Sequence, residues 1–147
     1  MIALLQRVSE ASVEVKGQVI GSISHGVLIF LAVMKTDDVT MARRMADKVA
    51  NYRILSGEDG RPDRSLLDTP GAQALVVSQF TLGAQTSKGR RPDYGETAKG
   101  EQAFPIYKGF LAELQALGVP VASGEFGAHM QVRLINDGPV TFLLEVV

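Results

Sequence analysis

Residues 26–34 read G-V-L-I-F-L-A-V-M, so every residue after the opening glycine is apolar. A continuous apolar run, rather than an alternating one, is typical of a strand that is buried on both faces. The run is also far too short to cross a bilayer as a helix. We therefore expect a buried core strand here.

The residues before this run predict a strand followed by a hairpin. Residues 2–8 are mostly apolar, which favours a strand. Apolar and polar side chains alternate in residues 11–15, and Lys16-Gly17 offers a turn into residues 18–23. We expect the two segments that flank this turn to pair as antiparallel strands.

The residues after the run predict a first helix. Thr36 or Asp37 can cap it by accepting backbone N–H groups, and we expect it to end near Asn51. Its apolar residues follow at helical spacing: Met41, Met45, Val49 and Tyr52.

A second helix is predicted over about residues 96–117. Its expected inner face consists of Tyr107, Phe110, Leu111 and Leu114. Pro105 lacks the N–H that a helix interior needs, so either the helix begins near Phe104 or it kinks at the proline. Gly118 is expected to end the helix.

The remaining apolar segments predict five further strands, at residues 53–55, 74–80, 119–123, 130–135 and 140–147. The order of strands and helices indicates a single α+β domain over residues 1–147, with mostly antiparallel pairing because its hairpins join neighbouring strands.

Composition indicates an ordinary globular protein, 46% hydrophobic and 21% charged. Fifteen basic residues face sixteen acidic ones, so any binding of nucleic acid must depend on a local patch. The absence of cysteine fits a reducing compartment. His25 and His129 lack metal-ligand spacing, and residues 1–8 lack the features of a signal peptide. We expect a cytoplasmic protein without metal or cofactor and without membrane attachment.

The stretch S-Q-F-T-L at residues 78–82 follows a predicted buried strand. Its hydroxyls, amide and backbone N–H groups could stabilise an oxyanion, or it could be an ordinary polar strand end. A Ser or Thr nucleophile needs a neighbouring base, and the local sequence has no His, Asp, Glu or Lys before Lys88. Any base must therefore come from elsewhere in the fold or from the substrate.

The segment S-K-G-R-R-P at residues 87–92 is the densest positive cluster of the chain, with Lys88, Arg90 and Arg91. These side chains could bind the phosphates of an RNA or nucleotide. A solvated basic loop is the alternative interpretation.

In F-G-A-H-M-Q-V, residues 126–132, Phe126 and Met130 could offer an apolar platform for a base. Their pattern equally fits two core residues. The simplest interpretation of His129 is a surface histidine.

The segment N-D-G-P-V-T, residues 136–141, lies between two predicted strands. Asn-Asp-Gly alone predicts a hairpin, yet Pro139 has no N–H and fits a strand only at its first residue or its edge. Gly138 permits a close backbone approach. The Gly138-Pro139 bond could be trans in a plain turn, or cis, which would redirect the preceding carbonyl.

Taken together, these motifs resemble the D-aminoacyl-tRNA deacylases over essentially the whole chain. The resemblance begins at A-L-L-Q-R-V-S-E-A-S-V, residues 3–13, and continues through L-V-V-S-Q-F-T-L, K-G-R-R-P, F-G-A-H-M-Q-V and N-D-G-P-V-T. The combination of S-Q-F-T with N-D-G-P-V-T, at this separation and chain length, is the specific part.

The resemblance implies a compact, β-barrel-like sheet with two flanking helices, assembled as a homodimer. It also implies hydrolysis of the ester that joins a D-amino acid, or glycine, to the terminal adenosine of tRNA. Gly138-Pro139 would form a cis dipeptide that enters the active site of the partner subunit, with Val140 and Thr141 beside it, and excludes L side chains.

The resemblance assigns the residues Ser78, Gln79, Phe80 and Thr81 to the catalytic wall. Phe126 and Met130 match positions that contact adenine. We hypothesise that backbone N–H groups near Phe80 and Thr81 stabilise the oxyanion, and that the ribose 2′-hydroxyl assists the attack. Thr81 would then position the substrate or share a proton, without acting as a covalent nucleophile.

Two other functions fit the residues without the resemblance. One is an esterase that acts on small amino-acid esters, although such substrates would not require the basic segment. The other is a non-catalytic dimer that binds RNA or DNA, which should bind in a salt-sensitive way without deacylation.

Overall fold

The computed structural model describes all residues, 1–147, as eight β-strands, two α-helices and one 3-10 helix. The strands are β1 (Ile2–Val15), β2 (Gln18–Ile23), β3 (Gly26–Ala32), β4 (Leu55–Ser56), β5 (Pro62–Arg64), β6 (Gln73–Ser78), β7 (Val121–Ser123) and β8 (Gln131–Glu145). The helices are α1 (Val39–Asn51), the 3-10 helix (Phe80–Gly83) and α2 (Gly100–Ala116). Neither α-helix is long and apolar enough to cross a membrane.

Six strands form one sheet in the order β2-β1-β3-β6-β7, with β8 paired to β1. All pairings of β1 are antiparallel, whereas β3–β6 and β6–β7 are parallel. A Cβ added to Gly21 of β2 would lie 2.8 Å from the carbonyl oxygen of Ser123 in β7, so the two ends of the sheet nearly meet. The predicted α+β fold, with a barrel-like sheet and two helices, is confirmed.

The apolar run that opened the sequence forms the core strand. β3 is buried along almost its whole length between β1 and β6. The larger core cluster joins β3 to both helices through residues such as Ile29, Met45 and Phe110, each of them inaccessible to solvent. The predicted hairpin is confirmed too, but residues 2–8 and 11–15 belong to one strand, β1, rather than two.

The sequence prediction was wrong about the last two strands. β8 is continuous from Gln131 to Glu145 and remains antiparallel to β1, so N-D-G-P-V-T does not reverse the chain. Asn136 pairs with Val8 and Thr141 pairs with Gln6. Residues 137–140 therefore stand opposite a single residue of β1, as an outward loop within one strand. We call residues 137–140 the excursion.

The predicted cap of the first helix was also wrong. Asp38, rather than Thr36 or Asp37, caps α1 by accepting a hydrogen bond of 3.0 Å from the backbone N–H of Met41. The carboxylate of Asp37 instead accepts from the backbone N–H of Met34 at 2.7 Å. Asp37 therefore closes the preceding turn, and this leaves the cap to the next residue.

The second helix begins at Gly100, later than predicted, and includes Pro105 in its second turn. Residues 96–98 are extended because they pair with the chain that follows β3; the N–H of Lys35 donates to Glu96 O and the N–H of Ala98 to Val33 O, both at 3.0 Å. Gly118 follows the helix with φ +99, as predicted. Tyr107, Phe110 and Leu114 are buried as expected, whereas Leu111 is half-buried.

Several shorter segments also differ from prediction. β6 ends at Ser78, two residues early, and a 3-10 helix replaces the rest of the expected strand. Gly83 explains the tight turn, since a Cβ there would lie 2.8 Å from the sulfur of Met34. β4 and β7 are shorter than expected or shifted, and β5 lies in a segment that we predicted to be a turn.

Candidate active site

The parallel strands β3 and β6 end at a cavity of about 510 Å³. α2 forms one wall of the cavity and residues 126–130 form another. Crevices at the carboxyl ends of parallel strands are common ligand sites, because the chain leaves the sheet there and exposes backbone groups. The cavity wall is mostly apolar, which suits a ligand with a flat or aliphatic group.

The cavity brings together most of the S-Q-F-T-L segment. Ser78 and Gln79 are half-buried in its wall, and Phe80 lies at its edge with 56% of its surface exposed. Thr81 is exposed and does not line the cavity. The Thr81 hydroxyl thus lies beside the cavity rather than within it.

The 3-10 helix that starts at Phe80 directs backbone donors toward this region. The N–H of Gln79 is occupied by Leu31 O at 2.8 Å, and the N–H of Leu82 donates to Gln79 O at 3.3 Å. The first N–H groups of a helix have no acceptor within that helix, which here concerns Phe80 and Thr81. Such donors are suited to developing negative charge on an oxygen.

Residues 126–130 supply the other wall, which contains both Phe126 and Met130. The Phe126 ring lies 5.4 Å from the Tyr107 ring, centroid to centroid. Burial raises the pKa of Tyr107 to about 12, and its hydroxyl donates to Val76 O at 3.3 Å. His129 is exposed, as predicted, but it also lines the cavity, which its lone position in the sequence did not indicate.

The cavity contains few groups that could act as a base. Tyr107 and His129 are the only titratable side chains in its wall, and burial keeps Tyr107 protonated at neutral pH. Ser78 forms no side-chain hydrogen bond with His129, so the serine lacks the partner that a nucleophile requires. The chain also has no cluster of three or more His, Cys, Asp or Glu side chains that could hold a metal.

The basic segment forms a loop beside the cavity. Gln85 and Asp93 close the loop with two backbone hydrogen bonds of 2.7 and 3.0 Å. The next residue, Tyr94, contacts Phe80 edge to face, with ring centroids 5.1 Å apart. This contact connects the loop to the cavity edge, and the loop exposes three cations that form no ion pair within the chain: Lys88, Arg90 and Arg91.

The excursion is separate from the cavity of its own chain. Gly138 and Pro139 are exposed, are joined by a cis peptide bond, and do not line the cavity. Val140 is half-buried against the core, and the hydroxyl of Thr141 accepts from the Gln6 amide at 3.1 Å. The excursion thus presents its tip to solvent while its base is attached to the sheet.

Two residues that sequence reasoning missed hold the excursion. Arg7, only 9% exposed, donates to Asp137 O, Ile54 O and Ser56 Oγ, so it joins the excursion to β4. The Asn136 amide donates to Arg7 O at 3.1 Å and to Val140 O at 2.9 Å. The signal in the sequence was a charged residue inside an otherwise apolar strand, which is rarely buried without partners.

Comparison with other proteins identifies relatives over the full length. The family model for D-Tyr-tRNA(Tyr) deacylase matches residues 4–145. A D-aminoacyl-tRNA deacylase of Roseiflexus castenholzii is 54% identical over 145 residues, which cover 99% of this chain and 92% of that protein. A D-aminoacyl-tRNA deacylase of Shewanella loihica is 50% identical over 146 residues, or 99% of this chain and all of that protein.

Solved structures share the fold. The c-Myc DNA Unwinding Element Binding Protein superposes with a TM-score of 0.93 at 38% identity, covering 100% of this chain and 99% of the other. A probable eukaryotic D-amino acid tRNA deacylase superposes with a TM-score of 0.86 at 17% identity, covering 99% and 98%, a likeness of fold. The full-length family match and the relatives at 50% identity or more lead to one conclusion: this chain belongs to the D-Tyr-tRNA(Tyr) deacylase family.

Proposed function

We propose that this protein hydrolyses the ester bond of D-aminoacyl-tRNA and releases free D-amino acid and tRNA. The observation that carries the proposal is the single cavity that Ser78, Gln79 and Phe80 share with Phe126 and Met130, although the two segments are far apart in the chain. One segment offers backbone donors and the other a flat apolar wall, which together suit an ester attached to a nucleoside. The names of the relatives support the same reaction.

In this proposal the terminal adenine packs against Phe126 and Met130, and the ester carbonyl faces the 3-10 helix. The free N–H groups of Phe80 and Thr81 stabilise the oxyanion that forms when water attacks. The ribose 2′-hydroxyl next to the ester assists the attack. The absence of an available carboxylate or lysine from the cavity wall supports assistance by the substrate.

We further propose that the protein acts as a homodimer in which the excursion of one subunit enters the cavity of the other. Two observations support this. Gly138 and Pro139 are exposed and distant in sequence from every segment of their own cavity except β8. β8 pairs on one side only, and it exposes large apolar side chains that a partner could cover: Ile135, Phe142 and Leu143.

In that arrangement, main-chain oxygens of Gly138 and Pro139 lie beside the α-carbon of the substrate and reject an L side chain by steric exclusion. Backbone groups do not read the identity of a side chain, so the filter accepts many D-amino acids. Glycine has no side chain to exclude, and glycyl-tRNA is therefore a substrate as well.

The loop cations Lys88, Arg90 and Arg91 contact tRNA phosphates in this proposal. Their exposure, their lack of partners within the chain and the contact between Tyr94 and Phe80 support a position next to the acceptor end. Replacing all three by alanine should raise the KM for tRNA and flatten its salt dependence, with a slope of roughly 0.7 per lost contact to a single strand.

The deciding experiment is deacylation of matched D- and L-tyrosyl-tRNA by the purified protein. We expect release of D-tyrosine and not of L-tyrosine. Equal rates would contradict the chiral filter, and no release from either substrate would contradict the enzymatic function.

Non-catalytic nucleic-acid binding is the second candidate, and the name of the 38% identical structure, which refers to a DNA element, favours it. This candidate requires salt-sensitive binding of DNA or RNA by a dimer without deacylation. An esterase acting on small amino-acid esters is a third possibility, which a comparison of D-tyrosine ethyl ester with D-tyrosyl-tRNA would separate.

A further inference from the structure

A row of three aromatic rings leads out of the cavity along α2. Tyr107 is buried, Phe126 is half-buried in the cavity wall, and Phe104 is 42% exposed. The Phe104 ring lies 5.0 Å from the Phe126 ring, with 37° between their planes. Phe104 does not line the cavity, so this ring extends the apolar wall beyond the cavity mouth.

A cation accompanies the outermost ring. The ammonium of Lys108 lies 4.6 Å from the centroid of the Phe104 ring, one helical turn further along α2. Lys108 forms no ion pair within the chain. An exposed ring beside an unpaired cation is the combination by which proteins bind single-stranded nucleic acid, since the ring stacks on a base while the cation attracts a phosphate.

We propose that Phe104 and Lys108 form a subsite for the nucleotide that precedes the terminal adenosine of the substrate. The inference rests on the proposed function, in which Phe126 contacts the terminal adenine. Stacked nucleotides follow one another at about 3.4 Å along a strand. A ring 5.0 Å from Phe126 is therefore within reach of the neighbouring base, the cytidine that precedes adenosine in every tRNA.

The subsite would make affinity depend on the length of the nucleic-acid part of the substrate. A substrate with a single nucleoside reaches Phe126 but not Phe104, whereas tRNA reaches both. If Phe104 only covers Phe126 as a structural residue, its replacement would instead affect short and long substrates alike. The two roles can therefore be separated by kinetics.

The test compares D-tyrosyl-tRNA with 3′-O-D-tyrosyl-adenosine as substrates of the wild type, Phe104→Leu, Phe104→Tyr and Lys108→Gln. Leucine keeps an apolar cover over Phe126 but removes the stacking face, and tyrosine keeps both. We expect Phe104→Leu to raise the KM for the tRNA roughly tenfold at unchanged kcat, in line with the loss of one stacked base. The KM for D-tyrosyl-adenosine should remain unchanged, Phe104→Tyr should match the wild type, and Lys108→Gln should weaken the salt dependence for the tRNA alone.

A binding measurement provides a second readout that does not depend on turnover. A cytidine-2-aminopurine-adenosine trinucleotide carries a fluorescent base in the position before the terminal adenosine. We expect the wild type to quench this fluorescence by stacking and Phe104→Leu to quench it less.

Equal effects of Phe104→Leu on both substrates, or equal quenching by both proteins, would overturn the subsite while leaving the deacylase function intact. If the wild type hydrolysed neither substrate, the proposed function itself would fail, and the subsite with it.

Discussion

The guanidinium Nε of Arg7 lies 2.8 Å from the backbone carbonyl oxygen of Asp137, and 3.2 Å from its carboxylate. These contacts join the middle of β1 to the first residue of the excursion. Arg7 also donates to Ile54 O at 3.1 Å, so a single buried side chain fixes the excursion relative to the sheet and β4. Arg7 therefore positions the excursion without forming part of its exposed tip.

Replacement of Arg7 by methionine should destabilise the fold and loosen the excursion. The change leaves the carbonyl oxygens of Asp137 and Ile54 without their donor, and we expect a loss of about 2–3 kcal/mol in the free energy of unfolding. Selection of D- over L-tyrosyl-tRNA should fall as well. Urea unfolding and the ratio of the two deacylation rates measure these effects.

Arg133→Met is the matched control, because Arg133 also pairs with a carboxylate, that of Glu14, but is 63% exposed. An exposed pair contributes less than about 1 kcal/mol, so this variant should retain nearly full stability and selectivity. Similar losses in both variants would contradict a special role for Arg7.

Gly138→Ala should disrupt the tip of the excursion. A Cβ at this position would collide with the backbone nitrogen of Val140 and with Oδ1 of Asn136. Because a backbone atom cannot move aside easily, we expect residues 137–140 to shift and selectivity against L-tyrosyl-tRNA to decrease. Parallel assays of the two substrates measure the change, and wild-type selectivity would show that the tip plays no part in the filter.

Gly109→Ala provides the comparison for a glycine that has room. A Cβ at Gly109, within α2, would meet nothing within 4 Å. Alanine favours helix more strongly than glycine, so the free energy of unfolding should rise by about 0.5–1 kcal/mol with unchanged selectivity. Thermal unfolding would detect the increase.

Thr81→Ala should leave most of the activity in place, because the Thr81 side chain is exposed and does not line the cavity. In contrast, removal of the terminal 2′-hydroxyl from the tRNA should slow deacylation by about 10²-fold or more, as expected for the loss of an assisting group. Single-turnover kinetics with both changes measure the two contributions. A large loss in Thr81→Ala together with a small effect of the 2′-deoxy substrate would reverse the assignment.

The stability of the fold should fall at high pH because of Tyr107. Burial raises its pKa to about 12, so the folded state holds the proton more tightly than the unfolded state, in which the pKa is about 10. The stabilisation is fully present below about pH 10 and is lost as the pH rises toward 12, by up to about 1.4 kcal/mol per pH unit.

Tyr107→Phe isolates this effect, since phenylalanine has no proton to lose. The variant lacks the hydrogen bond to Val76 O and should be about 1 kcal/mol less stable than the wild type at neutral pH. Urea unfolding from about pH 8 to pH 11 should show the difference shrinking and then reversing. Parallel pH curves for the two proteins would contradict the assignment to Tyr107.

Local pattern was sufficient for the elements whose neighbours in space are also neighbours in sequence. The apolar run in β3, the turn at Lys16-Gly17 and the helix end at Gly118 were all predicted. Patterning of this kind reflects burial and backbone preference, which each segment carries in its own residues. The start of α2 was missed because residues 96–98 pair with the chain after β3, a contact that the sequence does not reveal.

The sequence by itself determined the family, the core strand and the candidate motifs, because these depend on residue types and their order. Only the tertiary structure decided that N-D-G-P-V-T is an excursion within one strand, since the continuous pairing of β8 with β1 connects residues more than 120 positions apart. Only the fold brought Ser78 and Phe126 to one cavity and buried Arg7 beside Asp137. Such arrangements depend on the packing of the whole sheet, which no local stretch of residues encodes.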